Sequence, residues 1–203
     1  EHEPDDARNL AEQLVLVENR PVALPVPRLT PTPRSGEEFA RPTPSWFSDA
    51  KFGIIVHWGI YTVPGWAPVP PPAHATTVEA PPNQYFAEWY QAAAAQHGSA
   101  TAEYHQRVHG GRPYREFQGS FEAAASHWSP KDWVEDIAAA GARYVVMVAK
   151  HHDGYLLWPS RVRHATDERW RSPRDVVGEL ADETRGAGLR FGLFYSSGED
   201  WSY

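Results

Sequence analysis

Residues 142–155 read ARYVVMVAKHHDGY, an apolar run that ends abruptly in two histidines, an aspartate and a glycine. A continuous apolar run bounded by turn residues is typical of a strand buried on both faces, as the parallel strands of α/β proteins are. The polar cluster would then lie at the carboxyl end of the strand. In α/β barrels and doubly wound sheets, ligands bind and chemistry takes place at that end.

Two further stretches repeat this pattern. Residues 51–56 (KFGIIV) run into His57, and residues 189–195 (LRFGLFY) run into the polar sequence SSGEDW. We therefore expect three buried strands that deliver polar and aromatic side chains to one rim. Aromatic rings stack on the apolar faces of sugars while His, Glu and Asp bind hydroxyls, so the pattern favours a carbohydrate or another small polar substrate.

Two helices are signalled between these strands. Ser129 and Pro130 provide a capping hydroxyl and a first-turn proline, and Gly141 provides a stop. Ser172 and Pro173 repeat the device before a second apolar segment. In the long insertion after the first strand, the alanines at 92–95 favour a helix, whereas we expect residues 101–119 to form an irregular excursion.

The order strand, insertion, helix, strand, loop, helix, strand predicts an α/β fold of consecutive βα units. Three strands cannot close a barrel, and a complete eightfold barrel needs about 250 residues. We infer the N-terminal portion of a (β/α)8-like TIM barrel, with about three βα units, over residues 44–203. Residues 1–43 carry recurrent prolines and predict an extended arm or linker.

Composition excludes several classes of protein. A net charge of −7 argues against a nucleic-acid partner, and the absence of cysteine excludes disulfides and thiol chemistry. No apolar run is long enough to predict a membrane span. The sequence EHEPDD at the start lacks the features of a signal peptide, which leaves a cytoplasmic protein or the mature form of a secreted or periplasmic one.

The histidines are the main candidates for chemistry. His57 ends the first strand, and His151 and His152 end the second. Consecutive residues of a strand point to opposite faces, so we expect these imidazoles to bind a ligand by hydrogen bonds rather than to share a metal ion. Asp153 is expected to form a turn or to hold a histidine tautomer. A metal hydrolase using His57, His151 and Asp153 fits the residue types but not the spacing.

Carboxylates offer a second set of candidates. Glu88 stands beside Trp89, a pair that would also be unremarkable on a solvated helix face. Glu199 and Asp200 are adjacent in sequence, and adjacent residues do not face each other across a substrate as the two carboxylates of a retaining glycosidase must.

Taken together, these residues resemble the α-L-fucosidases of glycoside hydrolase family 29. The resemblance runs in order from about residue 44 to residue 203. Its motifs are WFSDAKFGIIVHWGIYTVP (46–64), EWY (88–90), FEAAASHWSPKDW (121–133), AGARYVVMVAKHHDGY (140–155), RDVVG (174–178), GLRFG (188–192) and YSSG (195–198). The chief departure is a proline-rich expansion over residues 68–82, which would reshape the mouth of the site.

The resemblance implies a retaining exo-hydrolase that releases terminal α-L-fucose through a fucosyl-enzyme intermediate, with no metal and no cofactor. It implies no catalytic residue within this span, because the aspartate nucleophile and the glutamate acid/base lie beyond residue 203 in the family. The residues that it assigns to fucose binding are His57, Glu88, Trp89, His151, His152 and Tyr195.

The implied partner is a fucosylated glycan or glycoside, with no nucleic acid and no membrane. A homo-oligomer or a complementing C-terminal segment is a further expectation. The alternative function is a non-catalytic fragment or a carbohydrate-binding module that keeps half of a fucose pocket. An aspartate at the end of the next strand would favour the enzyme over this alternative.

Overall fold

The computed structural model describes residues 41–70, 85–162, 164 and 166–202. By its contacts the chain divides into two units, Glu1–Pro42 and Thr43–Tyr203. The first unit falls almost entirely outside the described residues, as does most of the expansion over residues 68–82, so the proline-rich arm remains a prediction.

Within the described residues, three strands form one parallel sheet in the order β1-β2-β3. The strands are β1 (Ile54–Val56), β2 (Tyr144–Lys150) and β3 (Arg190–Tyr195). Val146 on the central strand pairs with Ile55 on one side and with Gly192 on the other. Because the strands are parallel, their carboxyl ends meet at one edge of the sheet, as the sequence predicts.

The described residues also form six α-helices, four of which lie between β1 and β2. The helices are α1 (Ser45–Ala50), α2 (Tyr90–Ala95), α3 (Ala100–His109), α4 (Gln118–Ser126), α5 (Pro130–Ala139) and α6 (Val176–Gly186). Short 3-10 turns cover Ile60–Thr62, Ala87–Trp89 and Tyr114–Phe117. None of the helices in these ranges combines the length and the apolar character needed to cross a bilayer.

The caps of α5 and α6 follow their sequence signals to different degrees. The Ser129 side chain accepts a hydrogen bond from the Asp132 amide, with Pro130 in the first turn, as predicted. In α6 the predicted cap is wrong, because Asp175 rather than Ser172 accepts the bond, from the Gly178 amide. The Ser172 hydroxyl is instead engaged with Arg174, and the helix begins three residues later than the sequence signal indicated.

The prediction that residues 101–119 form an irregular excursion is also wrong. Ser99 caps α3 by accepting from the Ala102 amide, and Gly110 ends the helix in the left-handed conformation with φ of 66°. The Tyr90 hydroxyl lies 2.9 Å from His105 Nδ1, which ties α2 to α3. The polar residues of this segment therefore cover one side of a helix rather than a loop.

The core lies between the sheet and the helices, and the central strand is the most deeply buried of the three. Its principal members are Ile60, Tyr90, Phe117, Phe121, Ile137, Val145, Met147, Tyr155, Trp170, Val176 and Leu180. The outer strands are not buried on both faces as expected, since Ile55 is 59% exposed and Leu193 is 56% exposed. Ile55 pairs with Val146, on the face opposite the core residues Val145 and Met147, whereas Leu193 pairs with Met147 and is exposed on an edge strand.

Candidate functional site

Three histidines meet at the carboxyl edge of the sheet, and we call His57, His151 and His152 the histidine cluster. The ring centroids of His57 and His151 lie 5.7 Å apart, and those of His151 and His152 lie 4.3 Å apart. The expectation that His151 and His152 point to opposite faces is therefore wrong. The strand ends at Lys150 and a turn follows, in which the Gly154 amide donates to the His151 carbonyl, so the alternation of an extended chain no longer applies.

His151 is the buried member of the cluster. Its Nδ1 has no hydrogen-bond partner within the part of the chain that the structure describes. Burial, and then the neighbouring His152, His57 and Lys150, lower the pKa of His151 to about 4. The imidazole is therefore neutral near pH 7, and a neutral imidazole can both donate to and accept from a hydroxyl group.

Tyr61 is a site residue that the sequence analysis missed. Its ring centroid lies 5.3 Å from that of His151, and its buried hydroxyl finds no partner among the described residues. Burial, followed by the charges of Asp153 and Glu88, raises the pKa of Tyr61. Glu88 lies in the same 3-10 turn as Trp89, whose ring centroid is 4.7 Å from that of His152. The one available signal was the position of Tyr61, four residues after His57 in the same motif.

Two indoles contact the His152 ring. The ring centroids of Trp89 and His152 are 4.7 Å apart, and the ring of Trp201 lies 5.1 Å from each of them. Trp89 comes from the 3-10 turn before α2, and Trp201 comes from the segment after β3. The cluster is thus bordered by aromatic faces of the kind that pack against apolar faces of sugars.

The structure does not bring Tyr195 into ring contact with the histidine cluster. Phe194 occupies that place, with its centroid 6.3 Å from His57 and 6.4 Å from His151. The Tyr195 ring lies instead 6.4 Å from Trp158, with Lys150 Nζ 5.2 Å from its centroid. Successive strand residues point to opposite faces, so one of the two aromatic residues at the end of β3 faces away.

Asp153 forms a turn, as expected, but it does not hold a histidine. Its carboxylate accepts from the Tyr114 hydroxyl at 2.9 Å and from the Tyr155 amide at 3.1 Å. The hydrogen-bond partner of His152 is Ser196, whose Oγ lies 2.6 Å from Nδ1. Burial raises the pKa of Asp153 to about 6, against the lowering effect of these hydrogen bonds.

Glu199 and Asp200 point to different partners, in agreement with the argument against their acting as a pair. Asp200 Oδ2 lies 2.9 Å from Lys150 Nζ, whereas Glu199 Oε2 lies 4.0 Å from His152 Nδ1. In the described ranges, no group of three or more His, Asp or Glu side chains is placed to hold a metal ion.

Asp153 and His151 give opposite pH dependences of stability. Asp153 has a folded pKa of about 6, above that of an unfolded chain, so its contribution to stability falls as pH rises from about 4 to 6. His151 has a folded pKa of about 4, below its unfolded value, so its contribution rises over the same interval. In full-length Asp153→Asn, the free energy of unfolding should therefore rise more steeply with pH than in the wild type, by up to about 1.4 kcal/mol per pH unit.

Urea unfolding midpoints measured between about pH 4 and pH 6 would check this slope. Asp182→Asn is the matched control, since Asp182 is exposed on α6. An Asp153→Asn slope equal to that of the control would contradict the raised pKa.

Comparisons with known proteins agree on one family. A family model described as Alpha-L-fucosidase matches residues 26–203. The tissue alpha-L-fucosidase of Rattus norvegicus is 35% identical over 158 residues, which is 77% of this chain and 30% of that protein. The crystal structure of Thermotoga maritima alpha-fucosidase in complex with fucose is 43% identical with a TM-score of 0.65, covering 78% of this chain and 35% of that one.

A more distant structure has the same fold. The alpha-L-fucosidase AlfC from Lactobacillus casei, in complex with its alpha-L-fucose product, is 28% identical with a TM-score of 0.52, covering 78% of this chain and 41% of that one. The chain spans about a third of the length of the curated relatives it matches.

Proposed function

The chain belongs to the alpha-L-fucosidase family, and we propose that it forms part of an exo-acting α-L-fucosidase that hydrolyses terminal α-L-fucosides with retention of configuration. The observation that carries the proposal is the meeting of the histidine cluster with Trp89 at the carboxyl edge of a parallel sheet. That edge is where α/β folds bind their ligands. The substrate class is a fucosylated glycan or glycoside.

The histidine cluster would bind the hydroxyl groups of the sugar. His151 is held neutral by burial, so it can exchange hydrogen bonds with a hydroxyl without first losing a proton. Its Nδ1 and the Tyr61 hydroxyl have no hydrogen-bond partner among the residues that the structure describes, and a bound hydroxyl would satisfy these buried polar atoms. Because these groups are already ordered before the sugar binds, binding would cost little conformational entropy.

Glu88 and Trp89 would complete the sugar contacts. A carboxylate accepts hydrogen bonds from hydroxyl groups, and the charge of Glu88 acts on Tyr61 at the same site. The indole of Trp89 offers an apolar face to the methyl group at C5 of fucose. Tyr195 remains in the proposed set on the family motif alone, since its ring lies toward Trp158.

The catalytic carboxylates of the proposal are an aspartate and a glutamate that follow residue 203. The aspartate attacks C1, and the glutamic acid protonates the departing oxygen, which leaves a fucosyl-enzyme ester. The glutamate then takes a proton from water, whose oxygen attacks C1 and releases the aspartate. Two inversions at C1 give net retention, with the two carboxyl groups about 5 Å apart.

The uncovered side chains of the sheet support a larger barrel. Ile55 and Phe194, which lie on the face of the sheet opposite Val145 and Met147, are exposed by 59% and 43% of their surface. In a closed (β/α)8 barrel, side chains on this face pack in layers against those of the remaining strands. The three βα units described here would supply the first part of such a barrel.

Retention of configuration is the first test of the proposed reaction. The full-length protein acting on an aryl α-L-fucoside should release α-L-fucose first, because the sugar is displaced twice at C1. Proton NMR of the anomeric signals in the first minutes would detect it, with free α-L-fucose as the standard for mutarotation. Release of the β anomer would contradict the double displacement.

A further inference from the structure

A buried ion pair ties the end of β2 to the loop after β3, which we define as residues 196–202 and call the β3 loop. Lys150 is 4% exposed, and its ammonium donates to the Ser196 carbonyl at 2.7 Å and contacts Asp200 Oδ2 at 2.9 Å. A buried charge without partners is strongly unfavourable. Among the described residues, the hydrogen-bond and ion-pair partners of Lys150 lie in the β3 loop, so its desolvated charge holds that loop against the strand.

The same loop is joined to the turn that carries the histidines. The Trp201 amide donates to the His152 carbonyl at 2.7 Å. Gly154 has φ of 76°, and a Cβ at this position would collide with Ser202 and Asp200. The β3 loop therefore packs directly on the turn of residues 151–154, and its position is fixed by backbone contact as well as by the ion pair.

Ser196 is thereby placed against one nitrogen of His152. Its Oγ lies 2.6 Å from His152 Nδ1 and 3.2 Å from the Glu199 carbonyl oxygen. A carbonyl oxygen can only accept, and a serine hydroxyl has a single proton to donate. When that proton goes to Glu199, the Ser196 oxygen must accept from Nδ1–H.

We propose that Ser196, held by the Lys150–Asp200 pair, is a positioning residue that fixes His152 in the Nδ1–H tautomer. The remaining nitrogen, Nε2, then carries a lone pair and accepts a hydrogen bond from a sugar hydroxyl. This assignment rests on the proposed function in so far as His152 binds the sugar. A histidine free to change tautomer would present an N–H to the hydroxyl for part of the time, and the bound geometry would be less well defined.

The tautomer can be measured directly in the full-length protein. Nitrogen-15 labelling of histidine distinguishes Nδ1–H from Nε2–H by the ring resonances, and the His152 signals are assigned by their loss in His152→Ala. We expect the wild-type protein to show the Nδ1–H form, Ser196→Ala to show a mixture of the two forms, and Ser196→Thr to keep the wild-type form. A wild-type Nε2–H tautomer would overturn the proposal.

Kinetics provide the second measurement. Ser196→Ala should lower kcat/KM for an aryl α-L-fucoside about tenfold, and Ser196→Thr should restore most of it, because only the hydroxyl is needed. Ser197→Ala is the matched control, since Ser197 is the neighbouring exposed serine. Ser196→Ala with wild-type kinetics and a wild-type tautomer would refute the role of Ser196.

The part played by the ion pair is tested separately. Asp200→Asn removes the charge that faces Lys150 and should both lower the melting temperature and broaden the tautomer distribution of His152. A lower melting temperature with an unchanged tautomer would remove the ion pair from the proposal. If the wild-type protein hydrolyses no α-L-fucoside, the proposed function fails, and the tautomer measurement still decides the assignment of Ser196.

Discussion

Residues 1–203, expressed without any further segment, should hydrolyse no α-L-fucoside. No covalent intermediate can form without the nucleophilic aspartate that the proposal places after residue 203, and the two aspartates at the rim are engaged elsewhere. Asp153 is bound by Tyr114 and Tyr155, and Asp200 is paired with Lys150. The expected loss of activity is complete, within the detection limit of an assay with an aryl α-L-fucoside.

The same segment should also unfold at low urea concentration. The described sheet exposes the apolar side chains of Ile55, Leu193 and Phe194, and β1 and β3 are its two edges. Unpaired edges with apolar faces favour aggregation over a monomeric fold. The full-length protein at the same concentration is the control for both the hydrolysis and the unfolding measurements.

Two experimental outcomes would contradict the proposed role of this segment. Measurable hydrolysis by the purified segment would show that its own carboxylates suffice and that the catalytic pair has been misplaced. A cooperatively folded segment that binds fucose without hydrolysing it would favour the alternative of a carbohydrate-binding module.

His57→Ala and His152→Ala in the full-length protein should each lower kcat/KM by about 10- to 150-fold. Each substitution leaves a buried sugar hydroxyl without its hydrogen-bond partner, which costs about 1.5–3 kcal/mol. His57 is exposed in the described structure, so its removal should cost little folding free energy. Steady-state kinetics and melting temperatures, measured on the same preparations, separate binding from stability.

The matched control is His97→Ala. His97 is an exposed histidine in the turn between α2 and α3, and it makes none of the ring contacts of the histidine cluster that the structure describes. This variant should behave like the wild type. Wild-type kinetics combined with a lower melting temperature in His57→Ala or His152→Ala would mean that these histidines support the fold rather than the sugar.

Elements with strong local signals could be predicted from the sequence. The apolar runs that become β1, β2 and β3 are bounded by turn residues, and the Ser129 hydroxyl followed by Pro130 marks the start of α5. The meeting of the three histidines follows from parallel pairing, which aligns the carboxyl ends of neighbouring strands.

Features that depend on tertiary contacts could not be predicted. Helix α3 has a mostly polar sequence, and it is stabilised by the Ser99 cap and by contact with α2. Whether Phe194 or Tyr195 faces the histidine cluster depends on the pairing register of β2 and β3, which shifts between Val148 and Lys150. The partner of Asp153 is Tyr114, from a segment 39 residues earlier, and no local pattern indicates such a contact.

The two indoles beside His152 give the protein a built-in optical probe. Trp89 and Trp201 have centroids 5.1 Å apart with their planes inclined by 60°, close enough for their electronic transitions to couple. Such coupling produces a paired band of opposite signs in the circular dichroism spectrum, and its amplitude varies steeply with the separation and angle of the rings. Trp58, Trp128 and Trp133 lie 5.0–5.2 Å apart and couple as well, so the contribution of the pair is the difference between the wild-type spectrum and that of Trp201→Phe. Because one indole belongs to the insertion and the other to the β3 loop, that difference follows movement of either segment without a label.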